Sequence, residues 1–215
     1  MKVIIIGSSG HAKVVIDALI KCGNYSIVGL VDDFRGLNEE TLGIPVIGKV
    51  SDVPILEANK YNWIIAVGDN LARFQIYNKL LELKLNYINV IHPSAIIGMN
   101  VTLGVGNFIA AGAIINSGTT IKDHCIVNTG AQLDHDNELQ SFASVAPNAA
   151  TGGNVTIGQG SHLGIGSCVK EKVSIGRQTV IGAGSVVLNN IGKFRVAYGV
   201  PCKEIRLREM RETFL

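Results

Sequence analysis

Residues 97–120 read IGMNVT LGVGNF IAAGAI INSGTT, four blocks of six residues that each begin with an aliphatic side chain. The same register continues to Val186, and the first place of a block is Ile, Leu or Val throughout, with Thr151 as the one exception. The fifth place is mostly a small residue, such as Ala113 or Ser167. A period of six fits neither an α-helix nor an alternating strand. It predicts a β-solenoid in which three blocks form one triangular coil, with the aliphatic residues filling its inner corners and glycine at the second and fourth places permitting tight turns.

The chain before this repeat has a different pattern. KVIII at residues 2–6 is a β-branched run that ends at Gly7, and AKVVIDALIKCG has the apolar spacing of an amphipathic helix. Two further apolar runs, YSIVGLV and NWIIAVG, are followed by a second helix pattern, LARFQIYNKLLELK, and by YINVI as another strand. Alternating strands and helices predict a parallel sheet with right-handed crossovers. We therefore expect an α/β domain over residues 1–90 and an all-β solenoid over residues 91–215.

The composition argues against several classes of protein. Lys and Arg total 19 against 17 for Asp and Glu, so no global field attracts nucleic acid or an anionic membrane. The apolar run at the start is too short for a signal peptide, and no apolar stretch approaches the ~20 residues of a membrane-spanning helix. The four cysteines are scattered, without a C-x-x-C pair. We expect a soluble cytoplasmic protein with reduced thiols and with no nucleic-acid or membrane partner.

Polar residues and glycines follow the predicted strands of the α/β domain, where ligands of a parallel sheet bind. They are Ser9, Gly10 and His11 after the first strand, Asp32 and Asp33 after the second, and Gly68 after the third. Glycine and serine let backbone N–H groups approach a phosphate at a helix N-terminus, and carboxylates hydrogen-bond to a base or a ribose. A tight turn with ordinary turn chemistry is the alternative for both features. A dinucleotide cofactor is disfavoured, because Ser9 and Ala12 stand where its fingerprint has glycine.

Residues 132–139, QLDHDNEL, place one histidine between two aspartates in an otherwise aliphatic region. Leu133 and Leu139 keep the six-residue register, so the polar residues between them follow the coil without breaking it. One interpretation is a solvated polar loop. The other is a general base, His135, whose tautomer is set by a neighbouring carboxylate, for which we favour Asp136 over Asp134.

The remaining histidines and cysteines do not predict a metal site. His124, His135 and His162 are separated by 11 and 27 residues, whereas a zinc site needs three ligands with two of them close together. Cys125 follows His124 but occupies a small inner place of its block, so we interpret it as a core residue. We expect no metal.

Five motifs together resemble one known family. They are GSSGHAKV after the first strand, VDD after the second, AVGDN after the third, IHPSA before the six-residue blocks, and AYGVPCKEIR near the end of the chain. In this combination the chain resembles the bacterial sugar acetyltransferases of the sialic acid O-acetyltransferase type, which include the N-acetyltransferases of UDP-4-amino-4,6-dideoxy sugars and of GDP-perosamine. The resemblance covers essentially the whole chain. It implies a Rossmann-like domain that binds a nucleotide sugar, a left-handed parallel β-helix, and a homotrimer with active sites between subunits.

The resemblance also implies roles for single residues. His135 would be the catalytic base, Asp136 its carboxylate partner, and Asn128 an active-site asparagine. Acetyl-CoA would lie near Ser144, Gly153, Ile165 and Ala183, with the Gly153 N–H directed toward the thioester carbonyl. The nucleotide would be held by the six residues at the strand ends, Ser9, Gly10, His11, Asp32, Asp33 and Gly68. Ser144 departs from the pattern, because several members of the family have histidine there.

The expected function is acetyl-CoA-dependent N-acetylation of the amino group of a nucleotide-linked 4-amino sugar, in the synthesis of surface glycans. Two alternatives stay open from the sequence. One is O-acetylation of sialic acid or another sugar. The other is a non-catalytic subunit that binds a sugar nucleotide or serves as a scaffold.

Overall fold

The computed structural model describes residues 1–56, residues 60–209 and residue 212. Its first part is a six-stranded sheet with helices, in which the strand order is β3-β4-β2-β1-β5-β6. All neighbouring strands are parallel except β3, which is antiparallel to β4. The strands are β1 (Lys2–Ile6), β2 (Ser26–Val31), β3 (Glu40–Thr41), β4 (Ile44–Gly48), β5 (Asn62–Ile65) and β6 (Asn86–Tyr87). The helices are α1 (Gly10–Cys22), α2 (Asn70–Leu80) and the short 3₁₀ helices Val50–Ile55 and Leu81–Leu83.

The elements of this domain differ from the sequence expectation in three places. α1 begins at Gly10, so Gly10 and His11 belong to its first turn and not to the preceding loop. β3 and β4 were not predicted. YINVI, expected as one strand, is divided: Tyr87 is the last residue of β6, and Val90 and Ile91 form β7 of the next domain. The change of architecture therefore falls between Tyr87 and Val90.

The second part of the chain is a solenoid with three flat faces, and the expected fold class, an α/β domain followed by a left-handed parallel β-helix, is confirmed. The first face contains β7 (Val90–Ile91), β10 (Phe108–Ile109), β13 (Ile126–Val127), β16 (Ser144–Val145), β19 (His162–Leu163) and β22 (Val180–Ile181). The second face contains β8 (Ile96–Ile97), β11 (Ile114–Ile115), β14 (Gln132–Leu133), β17 (Ala150–Thr151), β20 (Cys168–Val169) and β23 (Val186–Val187). The third face contains β9 (Thr102–Leu103), β12 (Thr120–Ile121), β15 (Glu138–Leu139), β18 (Thr156–Ile157) and β21 (Ser174–Ile175).

Each strand pairs in parallel with the strand one coil later, as Phe108 pairs with Ile126 and Ile114 with Gln132. A residue therefore stacks on the residue 18 positions further along the chain. At the end of the solenoid, β24 (Arg195–Tyr198) joins the first face and pairs in antiparallel fashion with β25 (Lys203–Leu207).

The aliphatic first places do not fill the corners of the triangle, as the sequence suggested. They are the second residues of the short strands, and residues such as Ile115, Leu133 and Ile157 are fully buried along the flat faces. The corners are made by the places that follow. The fourth place of every block from residue 100 to residue 184 has a positive φ, between 55° and 77°, whether the residue is glycine or not. This left-handed conformation, which costs little in glycine and is tolerated by asparagine and aspartate, turns the chain at each corner.

The α/β domain packs on the first face through α1. The side chains of Val15 and Leu19 belong to one continuous buried cluster with Phe108 and Ile126 of the solenoid. Burial of apolar surface is the main stabilising term between such layers. α1 thus covers the first face along its early coils. Near the N-terminus of α1, the outward residues of this face are polar; they are Ser144 and His162.

A buried arginine helps to join the two domains by hydrogen bonds. Arg73, on α2, is 1% exposed and donates to the carbonyl oxygens of His124 (2.9 Å) and Phe142 (3.1 Å) in the solenoid. The same guanidinium donates to the carbonyl oxygens of Val67 (2.8 Å) and Gly68 (3.0 Å). It therefore fixes the loop after β5 against the solenoid.

Replacing Arg73 with lysine is expected to lower the free energy of unfolding by at least about 2 kcal/mol, because lysine cannot reach all of these carbonyls and each charged hydrogen bond is worth about 1.5–3 kcal/mol. Urea denaturation followed by circular dichroism measures the change. Arg177→Lys is the control, since Arg177 is exposed and stacks on Phe194. Equal stability of the two variants would contradict the assignment of Arg73 as a stabilising link between the domains.

Candidate active site

Each corner of the solenoid joins two of its faces. The first corner joins the first and second faces, as at residues 128–131. The second corner joins the second and third faces, as at residues 134–137. The third corner joins the third and first faces, as at residues 122–125.

His135 lies at the second corner with a carboxylate on its ring. Its Nδ1 is 2.8 Å from Oδ2 of Asp136. The Asp134 carboxylate is engaged elsewhere, where it accepts from Nδ2 of Asn116 (3.0 Å) and from the His135 backbone N–H (2.8 Å). Adjacent residues can face each other here because Asp136 occupies the fourth place of its block, with a φ of 56°. Asp136 therefore contacts the imidazole, and Asp134 shapes the backbone before it.

The electrostatics of this corner favour a protonated imidazole. The hydrogen bond from Asp136 raises the pKa of His135, and the negative charge of Asp134 acts in the same direction. The hydrogen bond from Asn116 lowers the pKa of Asp134 and keeps that carboxylate charged. The His135 side chain is 54% exposed in the single chain, so a substrate has access to it.

Gly153 lies one coil beyond His135 and directly against its ring. A Cβ atom at this position would stand 2.5 Å from both Cε1 and Nε2 of His135, which is too close for any side chain. The Gly153 carbonyl accepts from the backbone N–H of Lys172 at 2.9 Å. A side chain at this position would therefore displace the imidazole.

A second group of the predicted residues surrounds a cavity of about 470 Å³ at the first corner. The solenoid contributes Asn128, Ser144 and Ile165, and the α/β domain contributes Gly10, His11 and Gly68. Ala183 lies one coil beyond Ile165, whose carbonyl accepts from the Gly184 N–H at 2.8 Å. The structure therefore brings these residues, apart from Ala183, to one space between α1 and the first face.

Two histidines in this cavity are neutral at physiological pH. Burial lowers the pKa of His11 to about 4, with a contribution from the positive charge of Arg73. Burial also lowers the pKa of His162 to about 4. Nδ1 of His162 is 2.7 Å from Oγ of Ser144. Nε2 of His11 has no hydrogen-bond partner among the described residues. Both rings are suited to hydrogen bonding with a ligand and unsuited to neutralising its charge.

The remaining predicted residues line a separate cavity of about 250 Å³ in the α/β domain, with Ser9, Asp32 and Asp33 at its wall. Asp32 accepts from Oγ of Ser8 (2.6 Å) and from the Phe34 N–H (2.8 Å). Asp33 accepts from the Val50 N–H at 2.8 Å. Turn chemistry thus accounts for part of the role of both carboxylates, and their position at the cavity leaves room for a ligand contact as well.

Within one chain the structure does not assemble all the predicted site residues. His135, Asp136 and Gly153 lie at the second corner, whereas Asn128 and Ser144 lie at the first corner and first face. The whole second face separates the two groups. The possible zinc ligands are equally dispersed, and in the described part of the chain no three His, Cys, Asp or Glu side chains gather as a metal site. Cys125 is fully buried, and burial raises the pKa of its thiol to about 12.

Two residues of these sites, Ser8 and His162, were not predicted from the sequence as ligand-site residues. Ser8 fixes the Asp32 carboxylate, and His162 contacts Ser144. His162 had a signal, since it stands 18 residues after Ser144, which is one coil of a solenoid with three blocks per turn. Ser8 had none, because its contact joins two loops 24 residues apart.

The left-handed β-helix carries an α/β domain on one face, with ligand-sized cavities beside the first face and in the α/β domain. Together with the imidazole–carboxylate pair at a corner, this fold defines an acyltransferase of the β-helix class. No helix in the described ranges has both the length and the apolarity needed to span a membrane. The family model for the PglD N-terminal domain matches residues 2–80.

Solved structures extend the similarity to the full length. A histidine-to-alanine variant of GDP-perosamine N-acetyltransferase from Caulobacter crescentus, in complex with CoA and GDP-perosamine, is 37% identical, with a TM-score of 0.91 over 96% of this chain and 97% of that chain. The acetyltransferase domain of PglB from Neisseria gonorrhoeae FA1090, in complex with acetyl coenzyme A, is 33% identical, with a TM-score of 0.90 over 95% of this chain and 98% of that chain. UDP-N-acetylbacillosamine N-acetyltransferase of Bacillus subtilis is 35% identical over 113 residues, which are 51% of this chain and 51% of that protein. The chain belongs to the family of bacterial sugar N-acetyltransferases that contains these enzymes.

Replacing Asp136 with asparagine is expected to move the acidic limb of the pH profile of kcat/KM to lower pH. The carboxylate stabilises the imidazolium and so raises the pKa of His135, and a base works only when it is deprotonated. The maximal kcat should fall on the order of 10-fold or more, because a neutral amide stabilises the imidazolium less than a carboxylate. Asp134→Asn is the matched control and should shift the profile less. A larger shift of the profile in Asp134→Asn than in Asp136→Asn would show that Asp134, and not Asp136, is the carboxylate that acts on His135.

Proposed function

We propose that the protein transfers the acetyl group of acetyl-CoA to the amino group of a nucleotide-linked 4-amino sugar. The full-length similarity to an N-acetyltransferase solved with CoA and GDP-perosamine carries this proposal. The His135–Asp136 pair supplies the chemistry, because an amine must lose a proton as it attacks a thioester.

In the proposed mechanism, His135 accepts this proton at Nε2. Asp136 holds the proton on Nδ1, which fixes the tautomer and stabilises the imidazolium that forms. The Gly153 N–H donates to the oxyanion that develops on the thioester carbonyl, a contribution of about 3–4 kcal/mol by comparison with single-donor losses elsewhere. His135 then returns the proton to the departing thiolate, so the products are the amide and CoA with a free thiol. No covalent acetyl-enzyme is required.

The α/β domain is proposed to hold the nucleotide. The N-terminus of α1, with Ser9 and Gly10, offers backbone N–H groups and the positive end of the helix dipole to a phosphate. Asp32 and Asp33 line the adjoining cavity, where carboxylates accept hydrogen bonds from a base or a ribose. His11 and Gly68 lie between this domain and the solenoid, on the path of the sugar toward the first corner.

We further propose that three copies of the chain assemble with the active sites between them. The acceptor cavity lies at the first corner of a protomer, whereas the base lies at its second corner. A three-fold arrangement that packs the solenoids side by side brings the second corner of one protomer to the first corner of its partner. Outward residues of the second face are uncharged, as is typical of the core of an interface; they are Ile96, Ile114, Gln132, Ala150, Cys168 and Val186.

Acetyl-CoA is proposed to lie in the groove between two protomers, along Ile165 and Ala183 at the first corner of one and toward Gly153 of the other. The activity belongs to surface glycan synthesis, in which nucleotide-linked amino sugars are the activated precursors. A cytoplasmic location is part of the proposal and is supported by the four cysteines, which are free thiols.

Release of free thiol from acetyl-CoA, measured against a panel of 4-amino sugar nucleotides and sialic acids, tests the proposed function. We expect turnover with a nucleotide-linked amino sugar. His135→Ala should lower kcat by roughly 10²–10⁴-fold, the usual contribution of a general base. His92→Ala is the control, since His92 contacts Ser94 away from both cavities. Turnover with free sialic acid alone would refute a nucleotide-linked amino sugar as the acceptor. Near-normal turnover of His135→Ala would refute His135 as the general base.

A further inference from the structure

The block that begins at Thr151 is the one that breaks the aliphatic register, and the structure shows a reason for it. Thr151 lies beneath the corner that carries His135, next to Thr119 and Asn137. These three side chains are 8%, 0% and 2% exposed, respectively. They form a buried polar cluster, here called the polar clamp, inside a solenoid whose interior is otherwise largely aliphatic.

The polar clamp holds the backbone on both sides of the candidate site. Nδ2 of Asn137 is 2.6 Å from the carbonyl oxygen of Asp134 and 3.1 Å from that of Gly152. Oγ1 of Thr119 donates to the same Asp134 carbonyl at 2.9 Å. Thr151 Oγ1 accepts from Nδ2 of Asn137 (2.9 Å) and from the Asp134 N–H (3.4 Å). Asp134 directly precedes His135, and Gly152 directly precedes Gly153, so the clamp joins the two segments that carry the base and the proposed oxyanion donor.

The coil does not need these groups in order to fold. At the same corner, the fifth places of other coils are Val101, Val155 and Val173. The residue that stacks on Thr151 one coil later is Val169. Burying an amide and hydroxyls costs free energy unless every group is hydrogen-bonded, so an aliphatic interior is the simpler solution. Departures from local rules tend to occur where function requires them.

Asn107 is a second buried asparagine of the solenoid, and it makes only some of the hydrogen bonds that Asn137 makes. Oδ1 of Asn107 accepts from the Cys125 N–H (2.7 Å), as Oδ1 of Asn137 accepts from the Val155 N–H (2.8 Å). This contact closes the ladder between coils at both positions. The Nδ2 group of Asn107, however, has no hydrogen-bond partner among the described residues, whereas that of Asn137 reaches three acceptors. The additional contacts of Asn137 therefore serve the corner of His135 and not the ladder.

We propose that Thr119, Asn137 and Thr151 are positioning residues for the acetyl transfer, which set the His135 imidazole at a fixed distance from the Gly153 amide through the backbone of Asp134 and Gly152. The proposal rests on the proposed function, because it assigns the clamp to that reaction. The base and the oxyanion donor must meet one substrate at the same time, and a misplacement of about 1 Å costs up to about 10²-fold in rate. The corner is open to solvent on its outer side, so it is held from within.

The test replaces the clamp with the aliphatic residues of the neighbouring coils. In Asn137→Val with Thr151→Val, two of the three clamp side chains become aliphatic, and Nδ2 of Asn137 and its acceptor Oγ1 of Thr151 are removed together. Thr119 keeps its hydrogen bond to the Asp134 carbonyl, so the fold should be retained. We expect kcat to fall about 10-fold to 100-fold, with a smaller change in the KM for acetyl-CoA. Thr151→Ser, which keeps the hydroxyl, should retain turnover within about threefold, whereas Thr151→Val should lose more.

Two control variants separate positioning from stability. Asn107→Val and Thr179→Val remove buried polar side chains of the same two kinds at the third corner, away from His135. They are expected to lower the melting temperature and to leave kcat within about twofold. A loss of kcat in these controls as large as that in the double variant would show that the clamp is only structural.

A readout that does not depend on activity is the NMR titration of the His135 imidazole. The charged groups next to the ring are Asp134 and Asp136. If the clamp fixes the corner, the double variant should weaken the contact with Asp136 and lower the imidazole pKa toward its ordinary value. An imidazole pKa and a kcat equal to those of the unsubstituted protein would overturn the proposal. If the unsubstituted protein turned over no acceptor, the proposed function would fail while the titration would still decide whether the clamp positions the ring.

Discussion

The contact between His135 and Asp136 depends on a backbone conformation that the whole solenoid shares. On a strand, consecutive side chains point to opposite faces, and an imidazole and a carboxylate on adjacent residues would face away from each other. Here Asp136 occupies the fourth place of a block, which is left-handed at every corner. The carboxylate is therefore turned onto Nδ1 of the ring, 2.8 Å away. The geometry that closes the triangle also creates the pair.

The rigid coil keeps the two groups of site residues apart within one chain. The period of 18 residues stacks Gly153 on His135 and keeps Ser144 beside His162, but it also holds the first and second corners apart by the width of a flat face. Side chains cannot cross that distance. The proposed three-fold assembly would bring the groups that suit the acceptor and the groups that suit proton transfer together from different copies of the chain.

Much of this arrangement was predictable from the sequence, because a six-residue register fixes the face or corner on which each residue lies. The register placed Leu133 and Leu139 in the core and located His135 on the coil between them. It did not show which aspartate meets the ring, since that depends on the left-handed turn at Asp136. β4 was missed because IPVIG contains a proline and ends in glycine, which weaken a strand signal, and its position is set by pairing with β2. Thr151 was visible as an irregularity, but its meaning required the hydrogen bonds of Asn137.

Mixed assemblies test the central claim, that each active site combines the second corner of one protomer with the first corner of its partner. Two variants that are each expected to lose activity, His135→Ala and Asn128→Ala, are co-expressed with different tags, and trimers that carry both tags are isolated. Every trimer that carries both variants has an intact His135 opposite an intact Asn128 at one of its three sites, so about a third of the turnover of the unsubstituted protein should return. Mixed trimers no more active than either parent variant would contradict the shared site.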